Sequence, residues 1–410
     1  MKVVFIHQDA NITGSAISML NLIKGFEGRV EVQIILPQKG PLIELFEEYG
    51  LPYTIIHFTC FWTTPGPKWY QKQSVEQIKA LLPNLHIRNK ILELKPDIVH
   101  LNDKACMNVG ISLKGTRIPI VQHLRSTYFT TNTIFNKWLS AYSIKRYASQ
   151  LISISEDELQ GFESNSNAKV IFNTVDVFKS EASILERQNT RKKLELLSED
   201  FVVGYTANIS KIKGAWDFLE MSINIVKRFP HRSFKFLIVG HAPIKPSKKT
   251  FLQRIGLREV PFDKFENYLQ NLLLKDRIEV LGFQKDILDI IAAFDLMVIP
   301  THLGALGRQP IEAMAVKTPT VITSGHSGKS RIVLHEENGL VVPMENVKAL
   351  TDAVASLIES PVLLQKLAKQ GYEYACYEFN PVINSDKVIE LYQNLTDITI
   401  SGIKTHGTEV

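Results

Sequence analysis

The residues with the most chemical content lie in one stretch, PTHLGALGRQPIEAMAVKTPTVIT, at Pro300–Thr323. Its pattern predicts the end of a buried strand, a loop with Gly304 and Gly307, a helix that starts near Arg308, and a second buried strand. Glycines before a helix N-terminus let an anion approach free backbone N–H groups at the positive end of the helix dipole. Glu312, about one turn into that helix, offers a carboxylate that can accept hydrogen bonds from a pair of sugar hydroxyls. N–H groups that can donate to a phosphate, next to a carboxylate that can accept from a diol, predict a site for a nucleoside diphosphate.

Two other loops follow predicted strands and carry small or polar residues. ANISKIKG at Ala207–Gly214 has Asn208 at the strand end, where it is a predicted donor contact, and Lys213 where the next helix opens, so that Lys213 presents a compact cation. The alternative is a solvated surface lysine. In the loop after the first strand, Gly14 opens a helix and can present N–H groups to a phosphate or hydroxyl, or simply permit a tight turn. Neither loop holds the G-x-G-x-x-G dinucleotide fingerprint or a Walker A sequence.

These loops need a framework of buried strands to position them, and the chain has one. Short β-branched runs alternate with helical stretches, which is typical of parallel strands covered by helices on both faces, and therefore of doubly wound α/β domains. The predicted strands are Val3–Ile6, Val30–Pro37, Leu51–Phe58, Pro96–Asn102, Ile118–Leu124, Gln150–Ser155, Phe201–Ala207, Phe234–Gly240, Arg277–Phe283, Asp295–Pro300, Thr318–Thr323 and Gly339–Pro343.

The strand pattern restarts after a charged segment near residue 190, so we expect two Rossmann-like domains in tandem. Residues 1–190 form the predicted acceptor-binding domain and residues 191–375 the predicted nucleotide-sugar domain. Residues 376–396 are expected to form a helix that returns to the N-terminal domain, and residues 397–410 a flexible tail. Ligands of such sheets bind at the carboxyl ends of the strands, which places the expected site in a cleft between the domains.

Further candidates lie directly after predicted strands. His123 could face a substrate, or be a structural histidine with its hydrogen bonds satisfied. Asn102 and Asp103 could contact an acceptor, and Phe283 could border a nucleotide base.

Composition restricts the class of protein. The 410 residues are 45% hydrophobic and 22% charged with a formal net charge of +5, which is ordinary for a globular protein and too mild to indicate nucleic acid. Three scattered cysteines without a zinc-ligand spacing indicate free thiols in a reducing compartment. Because no apolar run approaches the ~18–20 residues of a membrane span, we expect a cytoplasmic protein. The aromatic and basic stretch Phe61–Lys72 leaves a peripheral membrane contact, a carbohydrate contact or a packed loop open.

The glycine loop with EAMAVKTPTVIT resembles the signature of retaining glycosyltransferases of family 4, which have the GT-B fold. The resemblance extends over almost the whole chain. It includes GSAISMLNLIKGF at Gly14–Phe26, KPDIVHLN at Lys95–Asn102, PIVQHLRS at Pro119–Ser126 and ANISKIKG. It implies transfer of a sugar from a nucleoside diphosphate sugar, with UDP or GDP as the nucleotide, to a glycan, lipid-linked or small-molecule hydroxyl acceptor. It also implies retention of configuration and no metal or other cofactor.

The resemblance assigns roles to single residues. Lys213 matches the lysine on the donor diphosphate, Glu312 the glutamate on the ribose hydroxyls, and His123 a histidine near the transferred sugar; these three are the predicted catalytic residues. Gly14 matches the loop that closes over the leaving phosphate. The predicted donor-binding loop after the strand ending at Pro300 comprises Gly304, Ala305, Leu306, Gly307 and Arg308.

Two positions depart from the family pattern. Gly304 stands where the first glutamate of the E-x7-E motif falls, and Asn208 stands where an arginine is common. The first departure, beside His302 and Leu306, predicts a less acidic sugar pocket and a donor other than UDP-glucose, such as an N-acetylated, deoxy or pentose donor. Both departures motivate an alternative, a non-catalytic GT-B scaffold or partner subunit. A nicotinamide-dependent oxidoreductase is disfavoured because the dinucleotide fingerprint is absent.

Overall fold

The computed structural model describes residues 1–61, 79–127, 134–159, 161–162, 167–243, 260–303, 306–323 and 331–405. The chain divides into two compact units, of which the first comprises Met1–Thr174 and Glu378–Val410 and the second Val175–Tyr377. Within the described ranges, no helix has both the length and the apolar character that crossing a membrane requires.

The first unit contains a seven-stranded parallel sheet in the order β3-β2-β1-β4-β5-β6-β7. The winding of the chain reverses between β1 and β4, and the carboxyl ends of those two strands therefore mark the position where such sheets bind ligands. The strands are β1 (Lys2–Ile6), β2 (Glu31–Leu36), β3 (Tyr53–Ile55), β4 (Ile98–Asn102), β5 (Ile120–Leu124), β6 (Gln150–Ser153) and β7 (Ala168–Val170).

Helices cover both faces of this sheet, because alternate residues of its central strands are apolar on either side. Phe5 on one face packs with Met19, and Val4 on the other packs with Met107. The helices of this part of the chain are α1 (Gly14–Gly25), α2 (Leu42–Glu48), α3 (Leu85–Leu94), α4 (Met107–Leu113) and α5 (Ile134–Tyr147), with short 3-10 turns at Lys104–Cys106 and Asp157–Leu159.

The second unit contains a six-stranded parallel sheet in the order β10-β9-β8-β11-β12-β13. Its winding reverses between β8 and β11. The elements in chain order are α6 (Val177–Leu185), α7 (Arg187–Lys193), β8 (Phe201–Tyr205), a 3-10 turn at Lys211–Lys213, α8 (Ala215–Arg228), β9 (Phe234–Val239), α9 (Pro261–Leu269), β10 (Ile278–Gly282), α10 (Ile287–Ala292), β11 (Leu296–Ile299), α11 (Gln309–Ala315), β12 (Thr320–Thr323), β13 (Leu340–Val342), α12 (Val347–Glu359) and α13 (Pro361–Glu378).

The division between the units falls at Thr174, before the division near residue 190 that the sequence indicates. The reason is the packing of α6 and α7, which belong to the second unit. Arg191, only 9% exposed, pairs with Asp295 at 3.2 Å and also donates to the backbone carbonyl of Ala293. The charged segment near residue 190 is therefore part of a packed pair of helices and not the junction between the two units.

The last helix, α14 (Pro381–Thr405), lies in the first unit, to which the sequence analysis assigned residues 376–396. It packs against α1, where the Ser385 hydroxyl donates to the carbonyl oxygen of Leu22 at 2.9 Å. The helix continues to Thr405 without a proline after its first residue, so residues 397–405 are helical rather than the expected tail. The remainder of that predicted tail, residues 406–410, lies outside the described residues.

Candidate functional site

The loop after β8 is held against the end of β11 by a contact that only glycine permits. Gly214 has a φ of +71°, and a Cβ at this position would lie 1.6 Å from the carbonyl oxygen of Pro300. The backbone N–H of His302 donates to the carbonyl oxygen of Ile212 at 3.0 Å. The strand order thus brings the loop of Lys213 together with the loop that follows β11.

The Lys213 side chain is half-buried in this loop. The Tyr205 hydroxyl donates to the Lys213 carbonyl oxygen at 3.3 Å and fixes its backbone. Burial lowers the pKa of the Lys213 ammonium below its usual value. Within the described part of the chain, this ammonium makes no salt bridge or hydrogen bond. A partly desolvated cation without a counter-charge favours an anionic ligand.

Asn208, in the same loop, has a local partner. Its side-chain oxygen accepts a hydrogen bond from the backbone N–H of His241 at 3.0 Å, and Ile209 N–H donates to the carbonyl of His241 at the same distance. Asn208 therefore joins the loops after β8 and β9. The predicted contact of Asn208 with a donor stays a prediction. Because the side-chain oxygen is already used, the NH₂ group of Asn208 is the part that could make this contact.

Glu312 forms an ion pair with Arg308, one helical turn before it. Arg308 Nε lies 2.9 Å from Glu312 Oε1, and each side chain is 12% exposed. Helix α11 begins at Gln309, whose side chain donates to the carbonyl of Thr206 after β8. Because Arg308 occupies one carboxylate oxygen, Oε2 is the oxygen left to accept hydrogen bonds from a diol. The guanidinium group of Arg308 is thus paired with the Glu312 carboxylate.

The glycine loop is only partly described. Gly304 and Ala305, both predicted donor contacts, lie outside the described residues. Leu306 is buried and Gly307 has a φ of +68° with no atom within 4 Å of where a Cβ would be. His302 is hydrogen-bonded to Asp217 at 2.9 Å, so its polar group is engaged within the unit.

Phe283 directly follows β10 and is 61% exposed. An aromatic ring with a free face at a strand end can stack on a nucleobase. Its predicted place beside the base stays a prediction.

In the first unit, Gly14 is the first residue of α1 and is exposed. The Thr13 side chain caps the helix by accepting from Ala16 N–H at 3.3 Å. Gln8, after β1, donates from its side-chain amide to the Ser15 hydroxyl at 3.0 Å. The helix start is thus tied to the carboxyl end of β1.

Asn102, the last residue of β4, is fully buried in a polar cluster at the winding reversal. Its NH₂ group donates to His7 Nδ1 at 2.9 Å and to the carbonyl of Ser15 at 3.2 Å, and its oxygen accepts from Arg125 Nε. Burial, and next the charge of Arg125, lower the pKa of His7 to about 3. Since Asn102 uses both hydrogens inside the protein, its role here is to orient His7 and Arg125, and its predicted acceptor contact stays a prediction.

Asp103 has a backbone conformation that side chains rarely adopt, with φ 138° and ψ 166°. Three groups hold it there by donating to one carboxylate oxygen, namely the N–H of Lys104 at 2.6 Å, the hydroxyl of Ser126 at 3.0 Å and the N–H of Arg125 at 3.4 Å. Strain of this kind costs about 1–3 kcal/mol and clusters at functional sites. The predicted role of Asp103 in binding an acceptor stays a prediction.

His123 is the register partner of Asn102 on the neighbouring strand β5. Its Nδ1 lies 3.1 Å from His100 Nε2, and His100 Nδ1 lies 2.5 Å from the Tyr392 hydroxyl. Burial and the charge of Arg125 lower the pKa of His123 well below its usual value, so the ring is neutral at pH 7. Its Nε2 is buried without a hydrogen-bond partner among the described residues.

Sequence reasoning missed His7, His100, Arg125 and Tyr392 as members of these clusters. His7 could have been found, because it follows β1 as directly as Asp103 follows β4. Tyr392 could not, since 292 residues separate it from His100. Among the residues that the structure describes, no group of three or more His, Cys, Asp or Glu side chains is placed to hold a metal ion.

Comparison with known proteins matches both halves of the chain to sequence families. Residues 12–178 match the profile described as Glycosyltransferase Family 4, and residues 186–374 match Glycosyl transferases group 1. Together the two profiles span most of the chain. The chain therefore belongs to the group 1 glycosyltransferases of the family 4 type, and the predicted family is confirmed.

Two curated relatives match this chain over most of its length. A UDP-Gal:alpha-D-GlcNAc-diphosphoundecaprenol alpha-1,3-galactosyltransferase of Escherichia coli is 23% identical over 373 residues, 88% of each chain. A capsular polysaccharide biosynthesis glycosyltransferase, CapM, of Staphylococcus aureus is 26% identical over 77% of this chain and 80% of its own.

Solved structures share the fold. Anabaena Alr3699/HepE, crystallised with UDP and glucose, superposes with a TM-score of 0.75 at 20% identity over 96% of this chain and 100% of its own. Sucrose-phosphate synthase from Thermosynechococcus elongatus gives a TM-score of 0.71 at 17% identity, over 97% of this chain and 100% of its own. The predicted fold, two doubly wound parallel α/β domains of the GT-B class, is confirmed.

Proposed function

We propose that this glycosyltransferase moves a sugar from a nucleoside diphosphate sugar to a hydroxyl of a glycan or lipid-linked acceptor during the synthesis of a cell-surface polysaccharide. The observation that carries the proposal is Lys213, a half-buried ammonium without a counter-charge among the described residues, in a loop that Gly214 holds against the end of β11. The acceptor class is supported by the names of two relatives, one a galactosyltransferase for a diphosphoundecaprenol-linked sugar and one a glycosyltransferase of capsular polysaccharide biosynthesis.

The donor is bound by the second unit in this proposal. Negative charge develops on the departing diphosphate oxygen, and the Lys213 ammonium stabilises it electrostatically. Glu312 Oε2 accepts hydrogen bonds from the ribose hydroxyls, while Arg308 holds Oε1 and so orients the carboxylate. Because fixed protein cations supply the charge, we propose that turnover needs no divalent metal and is unchanged by a chelator.

The reaction is proposed to retain the anomeric configuration. The acceptor hydroxyl attacks from the face that the diphosphate leaves, and a leaving phosphate oxygen takes the acceptor proton. The C1–O bond to the diphosphate breaks as the C1–O bond to the acceptor forms. No protein nucleophile is required. The anomeric coupling constant in the product's proton NMR spectrum tests retention, and an inverted product would contradict it.

The first unit is proposed to bind the acceptor through Asp103, whose strained backbone is fixed by three hydrogen bonds. His123 is proposed to contact the transferred sugar. Asp103→Asn keeps the size of the side chain and should raise the KM for acceptor more than the KM for donor. Equal changes in both constants would remove Asp103 from the acceptor site.

The donor sugar is proposed to differ from glucose because Gly304 lacks the carboxylate that the family pattern places there. We propose an N-acetylated, deoxy or pentose donor on UDP or GDP, with Phe283 against the base. In a competition assay, preference for UDP-glucose over every modified sugar would overturn this part of the proposal. Gly304→Glu should raise activity with a common hexose donor.

A peripheral contact with the inner face of the cell membrane is proposed for α5. Trp138 and Tyr142 on this helix are exposed and stacked at 5.3 Å, Arg146 follows one turn later, and α5 contains no acidic residue. Aromatic rings with basic neighbours suit the interface of an anionic bilayer. Trp138→Ala should weaken sedimentation with phosphatidylglycerol vesicles, whereas Phe178→Ala, an exposed aromatic of the second unit, should not. Equal binding of both variants would refute the contact.

The experiment that tests the function most broadly is incubation with a mixed panel of UDP and GDP sugars, with and without lipid-linked acceptors, followed by mass spectrometry. We expect release of one nucleoside diphosphate and a matching mass increase on one acceptor. The alternative, a non-catalytic scaffold, is motivated by Gly304 and Asn208. It is favoured if no donor is consumed by transfer or by hydrolysis.

A further inference from the structure

Four buried polar side chains lie on one face of the first sheet, among buried apolar residues such as Val3 and Val121. His7, His100, Asn102 and His123 share this face with Phe5, since Phe5 is the register partner of His100 and Asn102 that of His123. Polar groups on a buried face are costly unless they are hydrogen-bonded or serve a function. The hydrogen bond from Asn102 explains why His7 is tolerated there. The burial of His100 and His123 needs a separate explanation.

His100 connects His123 to the C-terminal helix. His100 is fully buried, with its ring stacked on Phe5 at 4.5 Å and Tyr392 approaching edge-on at 5.9 Å. Its two nitrogens are both used, one 2.5 Å from the Tyr392 hydroxyl and one 3.1 Å from His123 Nδ1. A line of hydrogen bonds therefore runs from Tyr392 on α14 through His100 on β4 to His123 on β5.

The direction of these hydrogen bonds follows from the single partner of Tyr392. The Tyr392 hydroxyl is buried, and its proton has one acceptor in the described residues, His100 Nδ1. Both imidazoles are neutral, because burial lowers the pKa of each well below its usual value. A neutral ring with Nδ1 as acceptor carries its proton on Nε2. His100 Nε2–H then donates to His123 Nδ1, which leaves the His123 proton on Nε2.

We propose that His100 and Tyr392 are positioning residues that hold His123 in one ring orientation with an N–H donor at Nε2. The inference rests on the proposed function only for what His123 then does: an N–H donor that has no partner among the described residues is offered to an oxygen of the transferred sugar. His123 acts as a hydrogen-bond donor in this account and not as a general base. In metal sites, partners that orient a ligating histidine change affinity or activity by about 10–100-fold when they are removed, and we expect a loss at the lower end of that range here.

The test compares two Tyr→Phe variants of the full chain. Tyr392→Phe removes one hydroxyl and keeps the ring that packs against Phe26. Tyr147→Phe is the matched control, because its buried hydroxyl makes a 2.7 Å hydrogen bond to Gln122 in the same unit, on the opposite face of the sheet. Nitrogen-15 spectra of histidine-labelled protein report which ring nitrogen of each histidine carries the proton, and signals lost in His123→Gln identify His123.

We expect wild-type His123 to be protonated on Nε2, the His100 and His123 nitrogen shifts to move in Tyr392→Phe, and those shifts to stay in place in Tyr147→Phe. Turnover should fall about tenfold in Tyr392→Phe, with the KM for donor within about twofold of wild type, and stay unchanged in Tyr147→Phe. Protonation of His123 on Nδ1, or nitrogen shifts that Tyr392→Phe leaves in place, would overturn the positioning role. Full turnover in His123→Ala would instead remove His123 from the proposed reaction.

Discussion

Replacing Lys213 by alanine is the change that most directly probes the donor end of the reaction. The half-buried ammonium has no counter-charge in the described residues, and burial already lowers its pKa. A diphosphate that meets it gains a charge-assisted contact in a partly desolvated setting, and the contact strengthens as charge grows on the leaving oxygen. Loss of one such fixed group costs about 1.4–4 kcal/mol of transition-state stabilisation, which corresponds to roughly a ten- to thousandfold fall in turnover.

The adjacent lysine of the same turn provides the control. Lys211 is exposed, two residues before Lys213. Lys211→Ala removes the same charge from the chain and should change kcat by less than about twofold, as expected for a solvent-screened charge. The assay is release of nucleoside diphosphate under donor saturation, with thermal unfolding to show that both variants fold. Equal effects of the two substitutions, or full turnover in Lys213→Ala with every donor, would refute the reasoning.

Three further changes have expected outcomes. Glu312→Gln keeps the shape of the side chain but loses its charge, so donor affinity should fall by about 1–3 kcal/mol. Calorimetry should show a smaller loss of affinity for a 2′-deoxy nucleotide than for the ordinary nucleotide. Equal losses for the two nucleotides would mean that Glu312 does not contact the ribose. Gly214→Ala forces a Cβ against the Pro300 carbonyl at a φ of +71° and should cost about 2–4 kcal/mol in denaturant unfolding. Gly282→Ala, at a φ of +68° with open space, should cost only about 1–2 kcal/mol, and a similar cost for both would contradict the close contact. The pKa of His7 is lowered to about 3, so below about pH 6.5 the unfolded chain binds a proton that the folded chain does not. The free energy of unfolding should therefore fall with decreasing pH by up to about 1.4 kcal/mol per pH unit from this residue alone. If His7→Gln has the same pH dependence of unfolding as the wild type, this prediction is wrong.

The sheets could be predicted because their strands are continuous apolar runs. Val3–Ile6 and Phe201–Ala207, for example, correspond to β1 and to β8, which ends at Tyr205. The short edge strand β7 was missed, since Ala168–Val170 is only three residues long and not continuously apolar. The domain division was misplaced because α7 is charged in sequence and yet packed through Arg191, a feature that composition cannot reveal.

The candidate site was predictable where it depends on local sequence and unpredictable where it depends on contacts across the fold. Lys213 lies in a loop that a glycine marks, and Glu312 lies in the first turn of the helix that follows a glycine loop. The pairing of Arg308 with Glu312 follows from a spacing of four residues and could have been anticipated. The line from Tyr392 to His123 could not, because it depends on how the last helix of the chain packs against the first sheet.

The central claim is that the second unit binds a nucleoside diphosphate through Lys213 and Glu312. Calorimetric titration of UDP, GDP and ADP into the wild-type chain, repeated with Lys213→Ala and Glu312→Gln, tests it most directly. We predict that UDP or GDP binds the wild-type chain, and that each substitution weakens binding while Lys211→Ala does not. A wild-type chain that binds none of the three nucleotides, or variants that bind as tightly as wild type, would contradict the account.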